Sequence, residues 1–192
     1  PGVHRDDRVL TDTSAFDGKF VVVTEKMDGE NFSLWPDHAH ARSVDSKDHP
    51  SRHWIKALHA GIKHNIPDNY RLCGECMFAE HAIHYDALPS YFLLFVVFEY
   101  LEGGGWVSHG WGSVKAVAHS LGLSTVPELY CDGYSEEAIK KCWTGESKYG
   151  GQQEGYVVRI AGGASSLPVL RLFKYRPCAV VLFDPRNVTE WC

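Results

Sequence analysis

The run Phe20-Val21-Val22-Val23-Thr24-Glu25-Lys26-Met27-Asp28-Gly29-Glu30-Asn31 decides how this chain is read. Four consecutive apolar residues predict a buried strand over 19–25, and Asp28-Gly29 is a strong turn signal, so a β-hairpin is expected with its return strand over 32–35. Lys26 falls two residues before that turn, at a strand end. A lysine amine attacks phosphorus only after shedding its proton, so the position gains chemical meaning if other charged groups converge on it. Read alone, Lys-x-Asp-Gly is an ordinary hairpin.

Composition narrows the setting. With 192 residues, 44% of them hydrophobic, the chain can bury the core of one large domain. Its longest apolar run, 91–100, suits a buried strand and is too short to cross a bilayer, so membrane insertion is not expected. The start Pro1-Gly2 leads to the expectation of a processed or excised chain. Cysteines at 73, 76, 131, 142, 178 and 192 form no disulfide framework, which predicts a reducing, cytoplasmic location. The net charge of −5 argues against broad electrostatic coating of nucleic acid. One stretch differs: Arg42, Lys47, Arg52, Lys56 and Lys63, with six histidines from 38 to 64, face only Asp37, Asp45 and Asp48 and suit a phosphate-rich partner.

The rest of the chain mixes strands and helices without a βαβ rhythm, which predicts an α+β fold of largely antiparallel sheets. Strands are expected over 39–43, 70–78, 92–100, 154–160 and 169–175. A helix follows Asp48 and Pro50, with Trp54, Ile55, Leu58 and Ile62 on one face. Others span 113–121 and 136–143, the last capped by Ser135. The glycine clusters at 103–105 and 150–151 lack a following Lys-Ser/Thr and read as turns.

Partners for Lys26 then come into view. Glu75 ends one predicted strand and Glu154 opens another, while Lys174 and Arg176 alternate along a third and so leave the same face. A lysine, two carboxylates for a divalent cation or a ribose, and two cations for phosphate oxygens make up a phosphoryl-transfer set. Cys73-x-x-Cys76 with His81 and His84 also admits a zinc reading. Strand alternation opposes it, because Cys73 and Glu75 share one face and Cys76 lies on the other.

Lys26-Met27-Asp28-Gly29, Arg42-Ser43, Cys73-Gly74-Glu75, 95–100, Glu154-Gly155-Tyr156-Val157-Val158 and Phe173-Lys174-Tyr175-Arg176 resemble, in order, motifs I, Ia, III, IIIa, IV and V of the covalent nucleotidyltransferases, the superfamily of polynucleotide ligases and mRNA capping enzymes. Asn31, followed by Phe32-Ser33-Leu34, is similar to the RNA ligase 2-like branch. The stretches 40–43, 48–60 and 84–92 resemble small standalone bacterial and phage RNA ligases.

This resemblance implies an ATP-grasp-like ligase core of mainly antiparallel sheets with flanking helices, and an ATP-dependent RNA ligase that uses Mg or Mn. Lys26 would take AMP from ATP, pass it to a 5′-phosphate on RNA, and a 3′-hydroxyl would displace it. Lys174 and Arg176 would assist at the phosphates and Glu154 would place the metal. Glu25, Asp28, Gly29, Arg42, Glu75 and Phe98 would bind the nucleotide, with Glu25 toward the adenine amino group, Glu75 toward the ribose, and Phe95 competing with Phe98 for the adenine face. Asn31, Arg52 and Lys56 would meet RNA. Arg176 stands where the family usually has a second lysine, which keeps charge and alters geometry. The 16 residues after Arg176 leave no room for a C-terminal OB or helical domain, so 1–192 is expected to be a single adenylyltransferase domain. A DNA ligase, a capping guanylyltransferase and a non-catalytic nucleotide-binding module are the alternatives.

Overall fold

The computed structural model describes residues 13–42 and 50–162, together with the backbone of the strands Val9–Leu10, Val169–Phe173 and Val180–Phe183. In chain order the elements are β1 (Val9–Leu10), β2 (Phe20–Lys26), β3 (Glu30–Leu34), β4 (Ala39–Ala41), α1 (His53–Ile62), β5 (Tyr70–Cys76), β6 (Phe92–Tyr100), β7 (Trp106–Ser108), α2 (Trp111–Ser120), β8 (Ser124–Thr125), β9 (Glu128–Gly133), α3 (Glu136–Lys140), β10 (Gly155–Ile160), β11 (Val169–Phe173) and β12 (Val180–Phe183). They build two sheets. The first runs β1-β12-β11-β10-β2-β9 and the second β4-β3-β5-β6-β7, with β8 lying parallel to β6 and every other pair antiparallel. The expected α+β class with mainly antiparallel sheets is therefore the observed one.

The expected hairpin is not formed. β2 pairs with β10 and β9, whereas β3 pairs with β4 and β5, so residues 27–29 cross from one sheet to the other. Both strands already have neighbours on each edge, which leaves no free edge for them to pair with each other. The crossing is tight. A Cβ on Gly29 would lie 2.7 Å from the Cys76 carbonyl oxygen and 2.7 Å from the Met77 sulfur, so only glycine lets the turn rest on the end of β5.

The unbroken apolar run of β2 has a structural cause. Val21 and Val23 join Phe16, Ile139, Tyr156 and Val158 in one core, while Val22 belongs to a larger one with Phe32, Leu34, Ile55, Leu72, Phe92, Leu94, Val97 and Val114. A strand buried on both faces shows no polar alternation. Each such aliphatic side chain contributes about 1.5–3 kcal/mol by leaving water.

The helices start and stop near their expected positions, with informative differences. α1 begins at His53 after a 3-10 turn over Pro50–Arg52, and the expected Asp48 cap lies outside the described residues. α3 is shorter than expected; the Ser135 hydroxyl caps it by accepting from the Ala138 amide at 3.3 Å. Strands β7 and β9 had no counterpart in the sequence reading. Both lie at sheet edges, and Glu128, Cys131 and Asp132 of β9 are exposed, so neither carries a hydrophobic pattern. Among the described residues no helix is long and apolar enough to cross a membrane.

Candidate active site

Lys26 is the last residue of β2, and its register partner on β10 is Gly155. That pairing sets Glu154, the residue before Gly155, beside the lysine, and Lys26 Nζ donates to Glu154 Oε1 in an ion pair. The two residues are 128 positions apart and meet because the sheet aligns their strands. Phe173, which precedes Lys174, pairs with Gly155 from the other side. Lys174 and Arg176 themselves lie outside the described residues, as does Ser43.

Gln153 fixes the approach to Glu154. Its buried side chain accepts through Oε1 from the amides of Thr144 (3.0 Å) and Gly145 (3.3 Å) and donates through Nε2 to the Cys142 carbonyl at 3.0 Å. Glu25, only 1% exposed, accepts from the Lys148 amide at 3.0 Å through Oε2, while its Oε1 is buried with no hydrogen-bond partner among the described residues. Burial raises the Glu25 carboxyl above its usual 4.5, against the lowering pull of the Ser147 hydroxyl and the Lys148 amide.

The crossing segment is clamped from the loop that follows β5. Asp28 Oδ2 accepts from the amides of Ala82 (2.9 Å) and Ile83 (3.0 Å), and the Asp28 amide donates to the Tyr85 hydroxyl at 3.0 Å. Burial, reinforced by the charges of Glu154, Glu25 and Asp28, raises the Tyr85 hydroxyl, so it stays protonated. Asp28 thus serves the loop through its carboxylate and the turn through its amide.

On the second sheet, Asn31 pairs with Glu75, and the Glu75 Cγ would stand 3.0 Å from a Cβ on Gly29. The two motif carboxylates, Glu75 and Glu154, therefore come from different sheets joined by the Lys26-to-Gly29 crossing. The Arg42 amide donates to the Asn31 carbonyl at 2.9 Å, and its side chain is exposed. Asn31 Oδ1 is a second buried acceptor with no hydrogen-bond partner among the described residues. Such an atom costs about 1–3 kcal/mol unless something bound supplies a donor.

Arg52 is held by Glu30: its Nε donates at 3.1 Å, and its Nη2 donates to the other carboxylate oxygen. Lys56 is exposed on α1. The two aromatic candidates part company at a bulge in β6, where Cys73 pairs with Val96 and Gly74 with Leu94 and Phe95 is left between. Phe98 is buried with the Arg71 guanidinium 5.5 Å from its ring centroid, whereas Phe95 meets the Arg159 guanidinium of β10 at 5.6 Å. Phe95 is thus in contact with the strand that Glu154 opens into.

Among the described residues no three carboxylate, histidine or cysteine side chains converge to hold a metal, so the zinc reading gains no support. A single carboxylate beside Lys26 still fits a magnesium-type cation, which takes one or two protein carboxylates and fills its shell with water and phosphate oxygens. Tyr85, Gln153 and the Lys148 amide had no role in the sequence reading.

A family model described as RNA ligase matches residues 19–176. No curated protein matches. Among solved structures the chain is similar to Naegleria gruberi RNA ligase with PPi, with TM-score 0.62 and 16% identity over 91% of this chain and 61% of that one. It is also similar to a glutamate-to-alanine mutant of that ligase with ATP and Mn, with TM-score 0.60 and 15% identity over 91% of this chain and 56% of that one. At such identities the likeness is one of fold, and the chain spans about three fifths of the length of these structures.

Proposed function

Because this chain belongs to the RNA ligase family, we propose that it joins RNA 5′-phosphate and 3′-hydroxyl ends at the expense of ATP through an AMP adduct on Lys26. The observation that carries the reading is the contact of Lys26 with Glu154 beside the tight Asp28-Gly29 crossing. In the first step the Lys26 amine, having released a proton, forms a nitrogen–phosphorus bond to the α-phosphorus of ATP. The bond to the bridging oxygen breaks, and pyrophosphate leaves with the electron pair. An oxygen of the RNA 5′-phosphate next takes the AMP and frees the lysine. The 3′-hydroxyl then attacks that 5′-phosphorus, loses its proton and expels AMP.

Glu154 orients the Lys26 amine and would hold the divalent cation, Mg or Mn. When bound, that cation offsets negative charge on the reacting phosphates. Glu75 faces the ribose, and the buried Glu25 Oε1 suits the adenine amino group as a donor. Phe95 suits the adenine face better than Phe98, since it is the one in contact with β10. Asn31 Oδ1 suits a hydroxyl of the RNA end, Arg42 a phosphate of either substrate, and Lys174 and Arg176 the triphosphate oxygens.

The test is joining of matched ends. RNA bearing a 5′-phosphate and a 3′-hydroxyl should be sealed with ATP and Mg or Mn, and the all-DNA equivalent much less well. Equal sealing of DNA, or dependence on GTP, would move the chain to another branch of the superfamily.

A further inference from the structure

Two polar groups buried between the sheets have no part in the chemistry above. Thr24 is fully buried, and its hydroxyl has no hydrogen-bond partner among the described residues. Arg159 Nη1 is likewise buried without one. No carboxylate among the described residues pairs with Arg159, and burial alone pulls its guanidinium from 12.5 down to about 10, so it stays cationic at neutral pH. Such atoms cost stability unless something bound supplies the missing bond.

Strand register puts both groups on one face of the first sheet. Thr24 lies two residues before Lys26 on β2, so the two side chains share a face, and Thr24 pairs with Val157 of β10. Arg159 follows Val157 by two residues and shares that face as well. The face looks across to the second sheet, because the Arg159 guanidinium reaches the Phe95 ring of β6 at 5.6 Å. Val157 is thus flanked by Thr24 across the strand pair and by Arg159 along its own strand.

Beyond Arg159 the space between the sheets is shut. The Trp111 amide donates to the Ala161 carbonyl at 2.9 Å, and a Cβ on Gly110 would lie 2.9 Å from the same oxygen. From Gly155, the register partner of Lys26, to Arg159 is about 13 Å of strand. That length takes the sugar and base of a nucleotide whose α-phosphate is at Lys26.

We propose that the base is held between Phe95 and Val157 with Arg159 and Thr24 at its edge, and that Arg159 selects adenine over guanine. The proposal rests on the reading of the chain as an ATP-consuming ligase and names the groups that choose the nucleotide. Adenine N1 carries no proton and accepts a bond from Arg159 Nη1. Guanine carries a proton at N1 and meets the cation with a second donor. The Thr24 hydroxyl donates or accepts, so it adds affinity with little selectivity.

Equilibrium binding of the α,β-methylene analogues of ATP and GTP, which cannot release pyrophosphate, tests this on the whole chain with Mg. Arg159→Met keeps the length of the side chain and removes its donors. It should weaken the ATP analogue by about 10- to 100-fold, the worth of a hydrogen bond to a charged group, and leave the GTP analogue within about twofold. Arg159→Gln, whose amide donates or accepts, should bind the GTP analogue about 3- to 10-fold more tightly than the wild type does, a gain that a merely structural role would not produce. Thr24→Val should weaken both analogues by about 2- to 10-fold, and Thr24→Ser should retain them. In the empty protein Thr24→Val should melt no lower than the wild type, since it removes a hydroxyl that lacks a partner there. An unchanged preference in both Arg159 variants overturns the proposal, as does an equal loss of the two analogues. If the wild type is labelled by ATP while the Arg159 variants discriminate as it does, only the base assignment falls. A folded wild type that binds neither analogue overturns the ligase reading as well.

Discussion

The two sheets contribute to the site in different ways. The first brings Lys26 and Glu154 into direct contact from strands far apart in sequence, so this pair depends on the β2–β10 register. The second presents Asn31 and Glu75 as a cross-strand pair, with the Arg42 amide bonded to the Asn31 carbonyl. Between them, residues 27–29 are held by Asp28, Gly29 and Tyr85 rather than by strand pairing. On the proposed function, the reacting lysine and its carboxylate partner would come from the first sheet and most of the contacts to nucleotide and RNA from the second, with a short clamped crossing between them.

Substitutions on the first sheet should therefore have the largest effects. Lys26→Ala should remove ATP-dependent labelling of the chain altogether while thermal melting stays near that of the wild type. Glu154→Gln should slow labelling on the order of 10²-fold or more, with ATP binding retained, since one electrostatic contact at the reacting phosphate is lost. Labelling at the normal rate under limiting metal would contradict the metal assignment.

Smaller effects are expected on the second sheet and in the crossing. Glu75→Gln should act on selectivity, narrowing the preference for ATP over 2′-deoxy-ATP by about tenfold, the worth of roughly one hydrogen bond to a charged group. A variant that loses rate equally with both nucleotides would place Glu75 with the chemistry instead. Tyr85→Phe deletes the acceptor of the Asp28 amide and keeps the ring. A loss of about 0.5–1.5 kcal/mol in stability is expected, with a several-fold slower labelling rate. Unchanged rate and stability would show that the crossing is held without this bond.

The smallest effect is one of pH. Because burial raises the Glu25 carboxyl, the folded chain keeps that proton to a higher pH than the unfolded chain does. Stability attributable to this group then falls as pH rises from the ordinary carboxylate value through the raised one. Glu25→Gln should flatten that decline in urea titrations run across the range. An identical decline in the variant would assign it to other groups.

Part of the fold was legible in the sequence. The apolar run before Lys26 and the strand over 92–100 were readable because burial leaves a local hydrophobic signature. The Asp28-Gly29 turn was legible as a turn and misread as a hairpin, since a turn signal is local while the strands on either side choose partners as distant as β10. Gln153 and Tyr85 were not legible at all. Their work is done by hydrogen bonds to backbone amides or carbonyls of other segments, and nothing in their own neighbourhood marks it. The edge strand β9 was hidden for the opposite reason, its exposed Glu128, Cys131 and Asp132 breaking any periodicity.

Locating the adduct decides whether Lys26 is the nucleophile. The chain is incubated with ATP and Mn without RNA, digested, and the modified peptide read by tandem mass spectrometry. A single AMP joined to Lys26 through an acid-labile nitrogen–phosphorus bond, and discharged when 5′-phosphorylated RNA is added, is expected. AMP on a different side chain, or none on a folded chain with ATP bound, would contradict it.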